Sequence, residues 1–159
     1  YHTIPIPEIE TPDIYDCFDL FTTMELMNDK DNLYLNEKTK EYIESYKQIK
    51  FWSLPKILII VLKKFMNNGT KIEKKIDFPL KNLDLCKYCV GYKKHTNIYD
   101  LISVSNHTGN LNSGHYYSYC KMEDNKWYNF NDTFVSRLNE ENIVTENAYC
   151  LFYLKQGFE

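Results

Sequence analysis

The sequence lacks any apolar run that is long enough to cross a membrane. Its longest run, from Ile57 to Leu62, has six residues, whereas a membrane-spanning helix needs about 20. No signal peptide stands at the start of the chain. The first residue is Tyr1 rather than Met, and we therefore expect an N-terminus that has been processed, cut or truncated. These absences predict a chain that does not bind a membrane.

The chain also lacks the even set of cysteines that a disulfide framework needs. Its five cysteines are an odd number, and only Cys86 and Cys89 are closely spaced. Together with a surface rich in Lys and Glu, this favours a reducing compartment, so we expect an intracellular protein, cytoplasmic or nuclear. An excess of positive charge is missing as well. The formal net charge is -3, which argues against a nucleic acid as partner.

What the sequence does contain is enough apolar and aromatic material for one core. Of its 159 residues, 43% are hydrophobic and 16% are aromatic, a composition that excludes a disordered chain. Tyrosine occurs 14 times, which suits the half-buried faces of a β-sheet. The sequence has no internal repeat, low-complexity tract or Ser/Gly linker. We expect one domain, or one lobe of a larger one, built mostly of antiparallel sheet with one or two helices.

The N-terminal part of the chain predicts one amphipathic helix. Apolar residues recur there at helical spacing, so we expect a helix over residues 12–27. Thr11 is a suitable N-cap for this helix, with Pro12 at its first position. Residues 28–32 are polar and predict a loop, and residues 37–47 have a mixed helix and turn character.

Beyond residue 48 the pattern changes to that of strands. Residues 57–62 are apolar and rich in β-branching, which predicts a central strand buried on both faces. Residues 49–53 and 71–78 alternate between polar and apolar side chains, which predicts two further strands. More strands are predicted near 97–105, 115–122, 126–130, 133–137 and 147–155, with a hairpin turn over 122–126 and a short helix or loop over 139–146.

A histidine and a later Asn-Asp pair are the residues whose chemistry suggests a role. His115 follows Gly114, whose missing Cβ lets a loop pass close to a substrate backbone. In an acyl-transfer site, His115 would take a proton from a thiol and deliver it to the leaving amine. Asn131 would accept a hydrogen bond from the other imidazole nitrogen, and Asp132 would assist or stabilise the imidazolium. Alone, this pair is also compatible with a surface histidine, so the surrounding pattern has to supply the specificity.

That pattern consists of short motifs that follow one another along the chain. They are residues 54–65 (LPKILIIVLKKF), 77–80 (DFPL), 99–104 (YDLISV), 106–119 (NHTGNLNSGHYYSY), 127–132 (WYNFND) and 148–153 (AYCLFY). In content and order they resemble the histidine box and the neighbouring strands of ubiquitin-specific proteases, the USP family of deubiquitinases. The resemblance covers nearly the whole chain, and so many collinear motifs exclude a chance agreement. The fold that it implies is α+β, of the papain-like cysteine proteinase superfamily.

The resemblance also implies a role for individual residues. His115 would be the catalytic base and Asn131 the third member of a Cys-His-Asn triad, with Asp132 beside it. The segment from Asn106 to Gly114 is similar to a loop that lies beside the tail of ubiquitin, and its small polar residues are typical of a mobile gate. The implied substrate-binding residues are His107, Gly109, Ser113, Gly114 and Tyr116. The implied partner is ubiquitin or a ubiquitinated protein, and no cofactor is expected.

Two elements of the family have no counterpart in this chain. One is the cysteine box with the nucleophile, which lies at the N-terminal end of the catalytic domain, together with the oxyanion-hole side chain before it. Cys17 lies in a segment (YDCFDLF) that resembles a family helix in which the cysteine is structural. The chain therefore resembles the C-terminal half of the domain. Residues 1–50 would form a helix and a fingers-like region, and residues 51–159 the palm sheet with the histidine box.

The second missing element is a zinc site, which many members of the family hold in the fingers. Residues 36–40 (NEKTK) place Asn36 and Thr39 where the family has its later pair of cysteines. Neither residue replaces a thiolate in a structural zinc site, so we expect no metal there. Cys86 and Cys89 have the spacing of metal ligands, but we expect an incidental pair of reduced cysteines rather than half of a zinc site.

Two classes of function are compatible with the sequence. The first is a cysteine deubiquitinase, a thiol protease that hydrolyses the bond after the C-terminal glycine of ubiquitin. This chain would then supply only His115 and Asn131, and it would be inactive alone. The second is a non-catalytic ubiquitin-binding or scaffold module, and one half of a split enzyme lies between the two. A small metal-binding module built on Cys86 and Cys89 is a much weaker third hypothesis.

Overall fold

A computed structural model describes residues 1–92 and 94–157, and within these ranges it contains one α-helix and twelve β-strands. In chain order the elements are β1 (His2–Ile4), α1 (Ile14–Thr22), β2 (Glu25–Met27), β3 (Tyr34–Leu35), β4 (Tyr42–Ile43), β5 (Ser45–Lys47), β6 (Ile57–Leu62), β7 (Leu83–Asp84), β8 (Ile98–Gly109), β9 (Gly114–Lys121), β10 (Trp127–Asn131), β11 (Phe134–Leu138) and β12 (Ala148–Lys155). Short 3₁₀ turns lie at Cys86–Tyr88, Lys94–Thr96 and Glu140–Asn142.

One large sheet carries most of the chain. Its strands are ordered β1-β6-β12-β8-β9-β10-β11, and β7 also pairs with β8. Only β1 and β6 pair in parallel, and the other pairs are antiparallel. The expected fold class, mostly antiparallel sheet with one or two helices, is confirmed, and the described residues contain one helix. Because β12 lies between β6 and β8, the last strand joins the early part of the chain to the hairpins that follow β8.

The helix α1 begins at a different residue from the one that the sequence predicted. Asp13, not Thr11, is the N-cap: its side chain accepts from the backbone N–H of Asp16 at 2.9 Å. The Asp16 side chain in turn accepts from the backbone N–H of Asp13 at 2.9 Å, which completes a capping box. Pro12 lies before the helix, and its carbonyl accepts from Asp77 at 3.1 Å.

The helix also ends earlier than predicted, at Thr22 rather than at residue 27. Thr23 has an extended backbone with ψ of 142°, and its hydroxyl donates to the carbonyl of Asp19 at 2.7 Å. Residues Glu25–Met27 then pair with β5 in a small two-stranded sheet. Cross-strand partners that lie about twenty residues away in the chain therefore override the local helical spacing.

The strand β6 is buried on one face rather than on both. Leu58, Ile60 and Leu62 have no exposed surface, whereas Ile57 is 51% exposed. The buried side chains belong to the same apolar cluster as Phe18 of α1. A continuous apolar run carries no alternation, so the sequence could not distinguish burial on one face from burial on two.

Two predicted strands do not form. Residues 49–53 and 71–78 make only isolated bridges, at Phe51, Lys71 and Asp77. Their backbone groups bind irregular segments instead. The remaining predicted strands are present within a few residues of their expected ends, and the turn at 122–126 is a hairpin with Asn125 at a φ of 61°.

A buried lysine ties three segments of the fold together. Lys64, just after β6, is 1% exposed. Its Nζ donates to the carbonyl of Lys74 at 2.6 Å and to that of Glu146 at 2.8 Å. Burial lowers the pKa of Lys64 to about 8. No pattern in the sequence predicts this role for Lys64.

Candidate active site

The hairpin of β8 and β9 carries His115 and most of the predicted substrate-binding residues. Thr108 pairs with His115, and Gly109 pairs with Gly114. The segment 106–114, expected to be a loop, is therefore mostly strand, and only residues 110–113 form its tip. The tip is ordered by the Asn110 side chain, which accepts from the backbone N–H of the second and third residues after it at 2.9 Å.

The hairpin is narrow because two glycines face each other at its tip. A Cβ on Gly109 would lie 2.4 Å from the carbonyl oxygen of Ser113, and the backbone there has a φ of +98°. A Cβ on Gly114 would lie 2.6 Å from the carbonyl oxygen of Thr108. Side chains at either position would push the strands apart, so both glycines are required by the backbone itself.

The next hairpin brings Asn131 to His115. Phe130 of β10 pairs with Ser118 of β9, so the alternation of side chains puts Asn131 on the same face of the sheet as His115. Asn131 ends β10 at a two-residue turn, in which Asp132 has a φ of 52°. The Nε2 atom of His115 lies 2.6 Å from Oδ1 of Asn131. The pair predicted from the sequence is therefore in hydrogen-bond contact.

The direction of this hydrogen bond assigns the proton on the ring. An amide oxygen only accepts, so Nε2 of His115 carries the hydrogen and donates to Asn131. Nδ1 is then the unprotonated nitrogen, free to accept a proton from another group. Asp132 is different: its Oδ2 lies 4.0 Å from Nε2, too far for a hydrogen bond, and its side chain is 77% exposed.

The predicted substrate-binding residues separate into two groups. Gly109, Ser113, Gly114 and Tyr116 are exposed around the hairpin tip. His107 is only 4% exposed. Its ring packs against those of Phe65, Tyr116 and Tyr149 at centroid distances of 5.6, 4.6 and 6.0 Å.

Some residues beside the site were missed by the sequence analysis. Lys71 donates from Nζ to the carbonyl of His107 at 2.6 Å. It also lines a polar cleft of about 290 Å³ with Glu73, Thr108 and Glu146. Lys71 lies in a segment that the sequence predicted as a strand, and its charge alternates with apolar neighbours as on any exposed strand. No sequence signal distinguishes it.

The five cysteines all lie in the described ranges, and none of them contacts His115. Burial raises the pKa of Cys17 to about 12 and that of Cys150 to about 11. Burial also raises the pKa of Cys86 and Cys89. Cys120 lies on the same strand as His115, but five residues away on the opposite face, next to Ser103 at 3.1 Å. Among the described residues, none of the five thiols is hydrogen-bonded to His115.

The geometry around the expected zinc position is that of a turn. Oδ1 of Asn36 accepts from the backbone N–H of Lys38 at 3.0 Å and of Thr39 at 3.4 Å. The Asn36 side chain thus stabilises the turn between β3 and β4. It is an amide, and it does not replace the thiolate that a structural zinc site needs. Among the described residues, no group of three or more His, Cys, Asp or Glu side chains could hold a metal ion, and this includes Cys86 and Cys89.

At this site a histidine is hydrogen-bonded to an asparagine beside a narrow glycine hairpin, an arrangement that suits the base of a cysteine hydrolase. The comparison with known families agrees. The chain belongs to the ubiquitin carboxyl-terminal hydrolase family, whose model matches residues 10–153. The recognised resemblance is thereby confirmed.

As for the membrane, no helix in residues 1–92 and 94–157 has the length and apolar character that spanning would require.

Individual relatives give the same result. Ubiquitin carboxyl-terminal hydrolase 4 of Pongo abelii is 40% identical over 148 residues, which are 91% of this chain and 15% of that protein. Ubiquitin carboxyl-terminal hydrolase 15 of Homo sapiens is 38% identical over 145 residues, 89% of this chain and 15% of that protein. The chain therefore spans about a seventh of the length of these curated relatives.

Solved structures confirm the papain-like fold. The yeast SAGA DUB module with an Sgf73 mutant contains a chain that matches with a TM-score of 0.80 and 31% identity, over 97% of this chain and 34% of that one. A SAGA DUB module with Ubp8, bound to monoubiquitin, matches with a TM-score of 0.79 and 32% identity, over 97% of this chain and 34% of that one.

Proposed function

We propose that this chain supplies the base half of a deubiquitinase that hydrolyses the bond after the C-terminal glycine of ubiquitin. One observation supports this above the others: Nε2 of His115 donates to Oδ1 of Asn131 at 2.6 Å. That hydrogen bond leaves Nδ1 as the nitrogen that receives a thiol proton. Family membership supports the choice of a thiol as the nucleophile and of ubiquitin as the substrate.

In the proposed reaction His115 acts twice. Its Nδ1 first takes the proton of a cysteine thiol. The thiolate then attacks the carbonyl carbon of the scissile bond, which follows the C-terminal glycine of ubiquitin. The imidazolium then gives this proton to the leaving amine, and an acyl-enzyme forms. In the second half, His115 takes a proton from the water that attacks the thioester carbonyl carbon; the C–S bond then breaks, and the imidazolium returns the proton to the departing thiolate. Asn131 holds the ring throughout, because its oxygen accepts from Nε2 in both protonation states.

The hairpin tip is the part of the site that we assign to the substrate. Gly109, Ser113, Gly114 and Tyr116 are exposed there, and the two glycines allow a peptide backbone to approach closely. The polar cleft beside Lys71 lies along the same edge. Together these features suit an extended chain end, such as the tail of ubiquitin. His107 borders this surface from beneath.

In this proposal the chain contributes only His115 and Asn131, and the nucleophile comes from elsewhere. Four of the five cysteines have a raised pKa, and Cys120 lies on the opposite face of its strand. Loss of the nucleophile costs on the order of a millionfold in rate in a serine protease. We therefore expect the isolated chain to have essentially no hydrolase activity.

The test uses the gene product that contains this chain together with its preceding sequence. A ubiquitin probe with an electrophilic C-terminus should form a covalent adduct with it, and His115→Ala should abolish the adduct. His95→Ala serves as the matched control. It changes an exposed histidine that lies twenty residues before His115 in the chain. No adduct with the unchanged protein, or an adduct that His115→Ala leaves intact, would falsify the proposal.

A non-catalytic ubiquitin-binding module is the second candidate. The observation that favours it is a set of exposed apolar side chains around two small sheets. One sheet pairs β2 with β5, and the other pairs β3 with β4. They are Met24, Leu26, Tyr34, Tyr42 and Tyr46, each more than 40% exposed. Large exposed apolar side chains in one region mark a surface for a partner. Titration of labelled ubiquitin distinguishes the candidates: saturable binding by a gene product that forms no probe adduct supports the module or a split enzyme.

We further propose the division into a helix and fingers-like region over residues 1–50 and a palm sheet over residues 51–159. The separate pairing of β2 with β5 and of β3 with β4, outside the large sheet, supports it. A cytoplasmic or nuclear location also stays a prediction, which rests on five unpaired cysteines.

A further inference from the structure

His115 has few contacts that fix its position. Its side chain is 46% exposed. One ring nitrogen is bonded to Asn131, and the ring stacks on that of Tyr117 at a centroid distance of 6.4 Å. With so little packing around it, the place of the imidazole depends on the backbone that carries it. The residue just before it, Gly114, therefore has a strong influence on the geometry of the pair.

Gly114 rests against the ring of His107. A Cβ on Gly114 would lie 2.2 Å from Nε2 of His107 and 2.9 Å from its Cε1. The ring thus occupies the space that a side chain at position 114 would need. His107 pairs with Tyr116 across the hairpin, and the adjacent pair is Thr108 with His115. His107 therefore contacts the residues before and after His115, Gly114 and Tyr116, on the face of the hairpin opposite to His115.

His107 is itself held firmly. Its backbone N–H donates to the carbonyl of Asn147 at 2.9 Å, and its own carbonyl accepts from Nζ of Lys71 at 2.6 Å. The ring is enclosed by Phe65, Tyr116 and Tyr149. Its buried Nδ1 has no hydrogen-bond partner among residues 1–92 and 94–157. The ring therefore acts here by its shape rather than by a hydrogen bond.

From this geometry we propose that His107 is a positioning residue: its ring spaces Gly114 from β8 and so sets the place of His115 relative to Asn131. His107 then acts through Gly114 and not by touching the substrate. Burial and the nearby Lys71 lower the pKa of His107, which keeps the ring neutral within its aromatic surroundings. Its catalytic consequence rests on the proposed function, but its structural consequence does not.

The test compares His107→Leu with Phe65→Leu in this chain. Both variants shrink the same aromatic cluster, but only the first removes the contact with Gly114. Two-bond ¹H–¹⁵N spectra report which ring nitrogen of His115 carries the hydrogen. We expect the hydrogen on Nε2 in the unchanged chain and in Phe65→Leu, and a mixture of both tautomers in His107→Leu. A spectrum of His107→Leu like that of the unchanged chain, or the same mixture in Phe65→Leu, overturns the proposal.

Two further measurements complete the test. If His107→Leu does not fold, His107→Gln is measured instead, because it keeps an amide atom near the position of Nε2. It should move the His115 signals away from those of the unchanged chain and toward a mixture of both tautomers, and no movement overturns the proposal. In the gene product with a nucleophile, His107→Leu should lower kcat by about 100-fold with little change in KM. Because the spectra need no nucleophile, an inactive gene product contradicts only the proposed function.

Discussion

His115 combines one short hydrogen bond with a ring that is otherwise largely open. The contact of 2.6 Å with Asn131 fixes the tautomer, and 46% of the side chain is exposed to solvent. Asp132 follows Asn131 directly but lies 4.0 Å from the ring, with most of its side chain in solvent. At the scale of single residues, we therefore propose Asn131 as the orienting partner and expect Asp132 to contribute at most a screened charge.

Substitution of Asn131 tests this assignment. In the gene product that carries a nucleophile, Asn131→Leu should lower kcat by about 10- to 100-fold. It removes a hydrogen bond to a ring that becomes charged, a bond worth about 1.5–3 kcal/mol. Asn131→Asp keeps an acceptor and should keep most of the activity. The control is Asp132→Asn, expected to change kcat less than about threefold. An effect of Asp132→Asn as large as that of Asn131→Leu would show that the carboxylate is the orienting group.

At the scale of elements, the buried ammonium of Lys64 links β6 to two segments that have no strand pairing there. Its two hydrogen bonds go to the carbonyls of Lys74 and Glu146, and Glu146 lies just before β12. The segment after Lys71 therefore does not need to form the strand that its alternation predicts. Its backbone is satisfied by α1 and by this lysine instead.

A comparison of Lys64→Met with Lys63→Met tests the link. Lys64→Met keeps the length of the side chain but leaves two carbonyls without their donor, and we expect the free energy of unfolding to fall by about 2–5 kcal/mol. Lys63 is the exposed neighbour, so Lys63→Met should change it by less than about 0.5 kcal/mol. Urea unfolding of this chain, followed by circular dichroism, measures both. Equal losses would mean that the hydrogen bonds of Lys64 do not stabilise the fold.

At the scale of the whole molecule, the last strand decides whether the sheet is continuous. β12 pairs with β6 on one side and with β8 on the other. Leu151, in its middle, stands opposite Ile60 and Val104 and has no exposed surface. The edge strand β11 is far less buried than β12, since its Phe134 is 79% exposed.

We expect Leu151→Asn to lower the free energy of unfolding by about 3–5 kcal/mol, because it leaves a cavity and buries an amide between two strands. Phe134→Asn also replaces a large apolar side chain by an amide, but at the exposed edge, and should cost less than about 1 kcal/mol. Thermal unfolding of the two variants measures the difference. If Phe134→Asn is the more damaging, the edge strand and not β12 holds the sheet together.

The sequence alone predicted the pair of His115 and Asn131 and the kind of sheet that carries them. The motif around His115 and the later Asn131 could be recognised because their chemistry and order are local properties of the chain. Six of the twelve described strands, β6 and β8 to β12, were found for the same reason, since alternation and turn residues act over a few positions. The expectation of a loop over residues 106–114 was wrong. Most of this segment pairs as strand, and that pairing depends on two glycines that must meet across the hairpin.

Tertiary structure decided everything that depends on a partner distant in the chain. It ended α1 at Thr22, left one face of β6 partly exposed and replaced the strand at 71–78 by contacts with Lys64 and α1. It also chose Asn131 over Asp132 and enclosed His107 beneath Gly114. Such contacts depend on distances between segments that pack together only in the folded chain, and spacing along the sequence does not contain them.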